Sequence, residues 1–587
     1  MQRYSKFAAM LGLFILLGFG IVYWQHLLTT SLRSYRSFLT NTLLLSDDSL
    51  TRQTERVVLV IIGGVGFDAI QAANLPTFER LQESGASALM LGQTPSYDHP
   101  AWLTLISGVH PRFNNGQLFM VEPETLPPSA LNTIFHNAKK RGLSTALVGP
   151  EIWRSILEPD LLDVSIFTLF TDAQGDQQLL DNLTSLLNES SPELLLIYIA
   201  QINDAGRRFG GTESQGYQDA VEAVDIYLNE LVSMLDFDQT TLIITADHGH
   251  IEQGGYGGHD PAVLQLPFVM VGQKTIPGVY SPIEQADIAP TIATLLGTGL
   301  PAANQGRPLT EMLQLSDADR AAVMIALARQ RFILADAYLQ ALNGPLPDSS
   351  EINKAQGFLT NNNFMGAAQL AQLLVAQLDQ TVSQAEAARL KVERLNRLLI
   401  VLVGGVGLIT LILWRRSALW QQALLTAAIV VGVYHSLYLL EQHPYSFSTI
   451  ANLDAVGDGI SARVALSMAV GGLFYLILLA LQQYTRHYII MLSCYEMVLF
   501  IVLGFLGPAI YAFWHFGFEA SWIFPDMSLL FLQMTGLVQA LYAIVIGMFV
   551  PLVIILFNYQ MQKWILTYQQ RQLVKLRAES PVNGRQL

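Results

Sequence analysis

The chain has 587 residues, 51% hydrophobic and 14% charged, which is too apolar for a wholly water-soluble protein and long enough for a globular domain beside a membrane part. Its 47 acidic residues outnumber 33 basic ones, and the net charge of −14 excludes the broad basic surface of a nucleic-acid binder. The single cysteine, Cys494, excludes an intrachain disulfide and leaves the redox compartment open.

Taken in chain order, the first element is the apolar run Phe7 to Trp24, preceded by Arg3 and Lys6. It reads as an uncleaved signal anchor, because no small-x-small cleavage pattern follows Tyr23-Trp24-Gln25-His26. Residues 1–30 are thus expected to form a cytoplasmic tip and span, and 31–55 a linker. From 56 to 315 short β-branched runs alternate with helical patterns, as in Val57 to Ile62, Leu194 to Ala200 and Thr241 to Thr245. That alternation predicts an α/β domain with a mostly parallel sheet flanked by helices.

Residues 316–397 turn helical, with a capping arrangement of Ser316 and Asp319 and a break at Asn343-Gly344-Pro345. A long helix starting near Phe364 carries Leu370, Leu374, Leu378, Val382, Ala385, Val392 and Leu395 on one stripe, and is expected to run as a stalk into the second span. Five apolar runs follow within 398–560: Leu398 to Trp414, Leu419 to Leu440, Ala462 to Leu481, Tyr488 to Trp514 and Leu529 to Asn558. Residues 561–587 form a basic tail.

Six spans put both termini on one side. The basic flanks Arg3/Lys6, Arg415/Arg416, Arg486 and Lys563/Arg571/Lys575/Arg577 share that side, which the positive-inside bias makes the cytoplasm. Arg33, Arg36, Lys391, Arg394, Arg397 and Arg463 fall on the other side, with the α/β domain. The expected location is therefore the cell membrane, with the domain extracytoplasmic. Glu496, inside the fifth span, is costly in hydrocarbon and marks either a function or a contact with a neighbouring helix.

In an open parallel sheet, ligands gather beyond the carboxyl ends of the strands. Four segments of interest fall there: Gly63-Gly64-Val65-Gly66-Phe67-Asp68; Thr94 to Trp102 with Asp98 and His99; Asn203 to Gly210 with Arg207; and Asp247-His248-Gly249 followed by Gly254 to His259. In this order and spacing, and with Asp287-Ile288-Ala289-Pro290-Thr291 and Asn304 to Leu309 closing the domain, they resemble the alkaline phosphatase superfamily, in its branch of type I phosphodiesterases, nucleotide pyrophosphatases and phosphoethanolamine transferases. The resemblance covers roughly Arg56 to Leu309. It implies an alkaline-phosphatase-like sheet, to which this chain adds a helical stalk and a helical membrane domain.

The resemblance also implies two divalent metals, usually zinc, flanking a Ser or Thr nucleophile; such a pair lowers the nucleophile's pKa and clamps the reacting oxygens. Matched by position, the first-strand ligand Asp is Gly63, the nucleophile is Asp98, the Asp and His of the next segment are Asn203 and Arg207, and the later His is Tyr256. Asp247 and His248 are kept. One metal position loses its ligands at Asn203, Arg207 and Tyr256, and the other retains Asp247 and His248 with Asp98 nearby.

A guanidinium at Arg207, where a cation should sit, suggests an ion pair with Asp98 or Asp247 in place of metal. The expected function is that of a pseudoenzyme, a scaffold or accessory subunit among other membrane-protein subunits in the lipid bilayer, without a cofactor. The alternative is a phosphodiesterase or phosphotransferase acting on a lipid-linked or surface substrate, with Asp98 as nucleophile and a single divalent metal such as zinc on Asp247, His248 and one of His99, His250 or His259. Asp68 and Asp225 are expected to be structural. Transport rests only on Glu496 and the prolines Pro508 and Pro551.

Overall fold

The protein is represented by a computed structural model that describes residues 2–37, 39, 50–116, 130–441, 445–450 and 453–579. Expectations resting on the side chains of Arg3, Lys6, Trp414, Arg415 and Arg577, on residues 38 and 40–49 of the linker, and on the tail beyond 579 lie outside the described residues.

Nine strands form one sheet among the described residues: β1 (Arg56–Ile62), β2 (Ala86–Leu91), β3 (Thr145–Pro150), β4 (Val164–Thr168), β5 (Leu194–Ile199), β6 (Thr240–Ala246), β7 (Gln265–Val271), β8 (Gly278–Val279) and β9 (Ile283–Glu284). The order is β4-β3-β5-β1-β6-β7-β2-β8, with β9 also on β2. All pairings are parallel except those of β7, which runs against both β6 and β2. The three runs read as strands from sequence are the central β5, β1 and β6. Every residue of Val57–Ile62 and Leu194–Ile199 is buried, which accounts for continuous apolar runs without alternation: helices cover both faces.

Register matters more than any single packing contact here. Ile62 at the end of β1 pairs with Ile199 of β5 and Ala246 of β6, so Gly63, Ala200 and Asp247 leave the sheet side by side. Three segments of interest thus converge on one edge because three central strands end in step.

Helix Asp317–Leu342 begins with the Ser316 hydroxyl accepting the Asp319 N–H at 3.1 Å and ends at Asn343, whose left-handed φ of 55° stops it. Helix Phe364–Arg415 then runs without interruption from the helical region into the second expected span. Its stripe divides. Leu374 and Leu378 are buried with Ala321, Ile325 and Ala328 of the preceding helix, whereas Val392 and Leu395 are exposed.

Among the described residues five helices are long and apolar enough to cross a membrane, against the six expected: Ala8–Ser34, Trp420–Leu440, Gly457–Leu481, His487–Phe516 and Met527–Gly547. The run Leu398 to Trp414 is not among them. It is the last part of helix Phe364–Arg415, and 17 residues (398–414) is at the short end of what a bilayer demands. The run expected at Leu529 to Asn558 breaks at Gly547, and the chain continues as helix Val550–Glu579. Pro551 lies at the first turn of that helix, where a missing N–H costs nothing.

A stalk would hold the α/β domain away from the membrane helices, but the domain sits directly on them. Trp522 and Ile523, from the connection between helices His487–Phe516 and Met527–Gly547, enter the domain's own hydrophobic core. A second cluster joins Tyr97 and Tyr256 to Leu28, Tyr438, Phe447, Phe524 and Phe531 of the membrane part. The sequence pattern located the helices but carried no sign of which loops would touch.

Candidate functional site

Three chain segments leaving the sheet and one helix start make the site. Asp247 and His248 follow β6; Asn203 and Arg207 lie on helix Gln201–Phe209 after β5; Gly63 and Gly64 follow β1; and Asp98 is the first residue of helix Asp98–Ser107, where the helix dipole favours a carboxylate. Helix Gln201–Phe209 is itself anchored by Asp176, which accepts the N–H groups of Ala200 and Gln201 at 2.9–3.1 Å and whose carboxyl burial pushes up to about 7. Asp225, expected to be structural, likewise accepts from Thr77 N and Phe78 N.

The Asp247 carboxylate is buried and takes four hydrogen bonds. Oδ1 accepts from Gly64 N at 3.0 Å and His248 N at 2.7 Å; Oδ2 accepts from Trp102 Nε1 at 2.7 Å and Tyr198 OH at 2.9 Å. A carboxylate offers about four lone-pair sites, so all of them are engaged. Trp102 stacks on Trp153 at 4.9 Å, and Tyr198 meets Trp102 edge-on at 5.2 Å, so the two donors lie in a packed aromatic cluster.

Asp98 accepts from His248 Nε2, Asn203 Nδ2 and Tyr256 OH, each at 2.8 Å, and its side chain remains 18% exposed. His248 Nδ1 lies 3.0 Å from the carbonyl oxygen of Gly249. Both ring nitrogens therefore face groups that only accept, which requires both to carry hydrogen: His248 is an imidazolium paired with Asp98. Burial lowers the His248 pKa, but Asp247's charge, the hydrogen bond to Asp98 and Asp98's charge outweigh it and hold the value above 6.5. Burial raises the Asp98 carboxyl, but the hydrogen bond and charge of His248, the charge of Arg207 and the Tyr256 hydroxyl hold it well below the usual carboxylate range.

The Tyr256 ring stacks on the His248 ring at 4.1 Å with planes 2° apart. Asn203 is buried, and its Oδ1 faces His250 Nε2 at 3.1 Å. Arg207 is exposed; its Nε donates to Asn203 O at 3.3 Å and its charge acts on Asp98. The His248 imidazolium is in contact with Asp98, and the Arg207 guanidinium adds its charge there. Gly63 has no room for a side chain, because a Cβ there would run into the Tyr198 hydroxyl.

Among the described residues, Asp98, Asp247 and His248 are the group that could hold a metal ion, with ligand atoms within 4.8 Å of one another. His99, His250 and His259 do not join it. His99 is buried in the helix that Asp98 starts, and burial lowers its pKa to about 4; His250 contacts Gly254 O at 2.6 Å; and His259 contacts Ser528 at 3.2 Å. Tyr198 and Trp102 had been given no role from sequence. A tyrosine within the otherwise aliphatic end of β5 is the signal that could have found the first; nothing short of the fold finds the second.

The family model described as type I phosphodiesterase / nucleotide pyrophosphatase matches residues 134–254, a stretch that contains Asn203, Arg207, Asp247 and His248. The GPI ethanolamine phosphate transferase 2 of Candida glabrata is 22% identical over 313 residues, 44% of this chain and 37% of that protein. The chain is similar to members of the alkaline phosphatase superfamily. It is related to the GPI ethanolamine phosphate transferases. The type 3 enzyme of Eremothecium gossypii is 24% identical over 37% of this chain and 23% of its own, and the type 2 enzyme of Schizosaccharomyces pombe is 22% identical over 66% of this chain and 54% of its own. The chain thus spans between about a quarter and about half of these relatives' lengths. Human ectonucleotide pyrophosphatase / phosphodiesterase 5 superposes on 44% of this chain and 100% of its own with a TM-score of 0.39 and 12% identity.

Proposed function

We propose that this membrane-associated superfamily member is a pseudoenzyme, whose domain serves as a non-catalytic scaffold or accessory subunit for other membrane proteins. The observation that carries the proposal is the saturation of Asp247. Its four lone-pair sites face Gly64 N, His248 N, Trp102 Nε1 and Tyr198 OH, and none is left for a metal. His248 would have to give up a proton and its bond to Asp98 before its Nε2 could ligate. As built, the residues do not fit a divalent ion.

Charge supports the same reading. Asp98 and Asp247 contribute two negative charges, and His248 and Arg207 two positive ones, so the site is neutral without a cation. In this proposal Asp98 holds the nucleophile position without acting there, and Arg207 supplies a charge that a metal supplies in the superfamily.

The orientation proposed from sequence, with the domain extracytoplasmic and both termini cytoplasmic, has related support. Arg416 and Arg486 precede helices Trp420–Leu440 and His487–Phe516, whose opposite ends lead to Ser446 and Ser528, residues touching the domain.

A second reading is favoured by one observation: Asp98, Asp247 and His248 lie within 4.8 Å of one another, and Asp98 is reachable from solvent. In that reading the chain is a metal-dependent phosphodiesterase or phosphotransferase acting on a lipid-linked or cell-surface substrate, as the names of its relatives suggest. The deciding experiment measures zinc, manganese and calcium in the purified full chain while assaying a generic phosphodiester. The pseudoenzyme proposal expects neither stoichiometric metal nor turnover. Stoichiometric metal together with turnover that disappears in Asp98→Ala overturns it. Elution as a single species without companions from gentle detergent would sink the scaffold role.

A further inference from the structure

The glycine-rich loop 254–260 that closes the site is held from two sides. Toward the site, Gly257 O accepts from Ser96 N at 3.3 Å and Gly258 O from Ser96 Oγ at 2.8 Å. The Tyr256 ring meets Tyr97 edge-on at 5.9 Å, and its hydroxyl donates to Asp98. Toward the membrane, the same loop rests on residues 446–448, which connect helices Trp420–Leu440 and Leu453–Leu481. Ser446 Oγ donates to Asp260 at 2.6 Å and accepts from His259 N at 3.3 Å; Ser448 Oγ accepts from Gly258 N at 3.1 Å. His259 Nδ1 lies 3.2 Å from Ser528 Oγ at the start of helix Met527–Gly547.

The approach is too close for side chains. A Cβ on Gly255 would run into the carbonyl oxygen of Ser448, and one on Gly258 into the Ser446 hydroxyl. Gly257 has φ 97°, a conformation only glycine holds without strain, and that bend sets Tyr256 against Asp98 while Gly258 faces the serines. A segment with polar bonds on both faces and so little slack cannot shift on one face without disturbing the other.

We propose that loop 254–260 is a coupling element: movement of the membrane helices at Ser446, Ser448 and Ser528 displaces Tyr256 and thereby changes the Asp98–His248 pair, and changes at that pair are returned to the helices. The coupling does not depend on whether the site turns over a substrate, so its failure and that of the pseudoenzyme proposal are separate. Thermodynamic coupling is reciprocal, which supplies a two-way test.

The test is amide hydrogen exchange on the full chain in detergent micelles. Ser446→Ala combined with Ser448→Ala is expected to speed exchange in residues 96–104 and 247–251 by about fivefold or more, the lower end of ordinary coupling, while β1 amides at 57–62 stay unchanged. Tyr256→Phe, which keeps the ring and removes only the bond to Asp98, is expected to speed exchange at 445–449 by a similar factor. Loosening confined to 254–260 in the serine variant overturns the proposal, as does an unchanged 445–449 in Tyr256→Phe. If the serine variant unfolds, seen as fast exchange at 57–62, the Tyr256→Phe result decides alone.

Discussion

The Tyr198 hydroxyl stands where a side chain on Gly63 would have to go, and from there it donates to Asp247 at 2.9 Å. By the resemblance Gly63 matches a metal-ligating aspartate, and here a phenol from the neighbouring strand fills the space beside it. Gly63→Ala is expected to destabilise the chain by about 1–3 kcal/mol, the usual cost of forcing an extra methyl into a packed core, read as a lower midpoint in thermal denaturation. Tyr198→Ala vacates that space, so Gly63→Ala should cost little in its background. Additive effects in the double variant would show that the two positions do not compete.

Trp102 and Tyr198 together fill both lone pairs of Asp247 Oδ2. Trp102→Phe keeps a ring against Trp153 and deletes the N–H, and is expected to cost about 1.5–3 kcal/mol for a hydrogen bond to a charged group. Combined with Tyr198→Phe, it leaves Oδ2 free beside Asp98 and His248. Titration calorimetry of the double variant should then show zinc binding at least about tenfold tighter than in the parent chain, equivalent to about 1.4 kcal/mol. Equal affinity in both would mean that hydrogen-bond saturation does not keep metal out.

Sequence alone carried the central sheet, because buried parallel strands are continuous apolar runs, and through the resemblance it gave the expectation that ligands are replaced at Gly63, Asn203, Arg207 and Tyr256. It carried little of what replaced them. Trp102 and Tyr198 reach Asp247 across 145 and 49 residues of chain, and no local pattern encodes such a meeting. The pairing of Asp98 with His248 depends on where a helix start falls relative to a strand end. Contact between loop 254–260 and Ser446–Ser448 was hidden for the same reason, and the continuous helix Phe364–Arg415 suggested a spacer instead.

The Asp98–His248 pair carries a pH signature. A histidine raised above its ordinary 6.5 stabilises the fold fully below that value and loses its contribution as pH rises through the folded value; an aspartate held below its ordinary 3.8 contributes above that value and loses it as pH falls further. The pair is therefore worth most between about pH 3.8 and 6.5. His250 and His110, pushed down to about 3 chiefly by burial, act in the opposite sense, so the comparison has to be with a variant. The melting-temperature gap between the parent chain and His248→Gln should be largest near about pH 5.5 and narrow as pH is raised. A gap that widens toward alkaline pH would rule out the imidazolium.

Glu496 was singled out as a carboxylate within a membrane span, open to a functional or a helix-contact role. Both its oxygens are 2.5 Å from Ser417, Oε1 from the backbone N and Oε2 from the hydroxyl, just ahead of helix Trp420–Leu440. The carboxylate therefore lies near that helix's N-terminus, where unsatisfied N–H groups and the dipole favour negative charge, and it joins helix His487–Phe516 to the start of helix Trp420–Leu440. Ser417→Ala removes one donor from a buried carboxylate and is expected to cost about 1–3 kcal/mol. Glu496→Gln, which keeps an acceptor for the Ser417 N–H but loses the charge, should cost about the same or less. Both effects are read from the thermal midpoint of the full chain in detergent. If either variant melts with the parent chain, the carboxylate does not serve to join the helices and a separate role for it has to be sought.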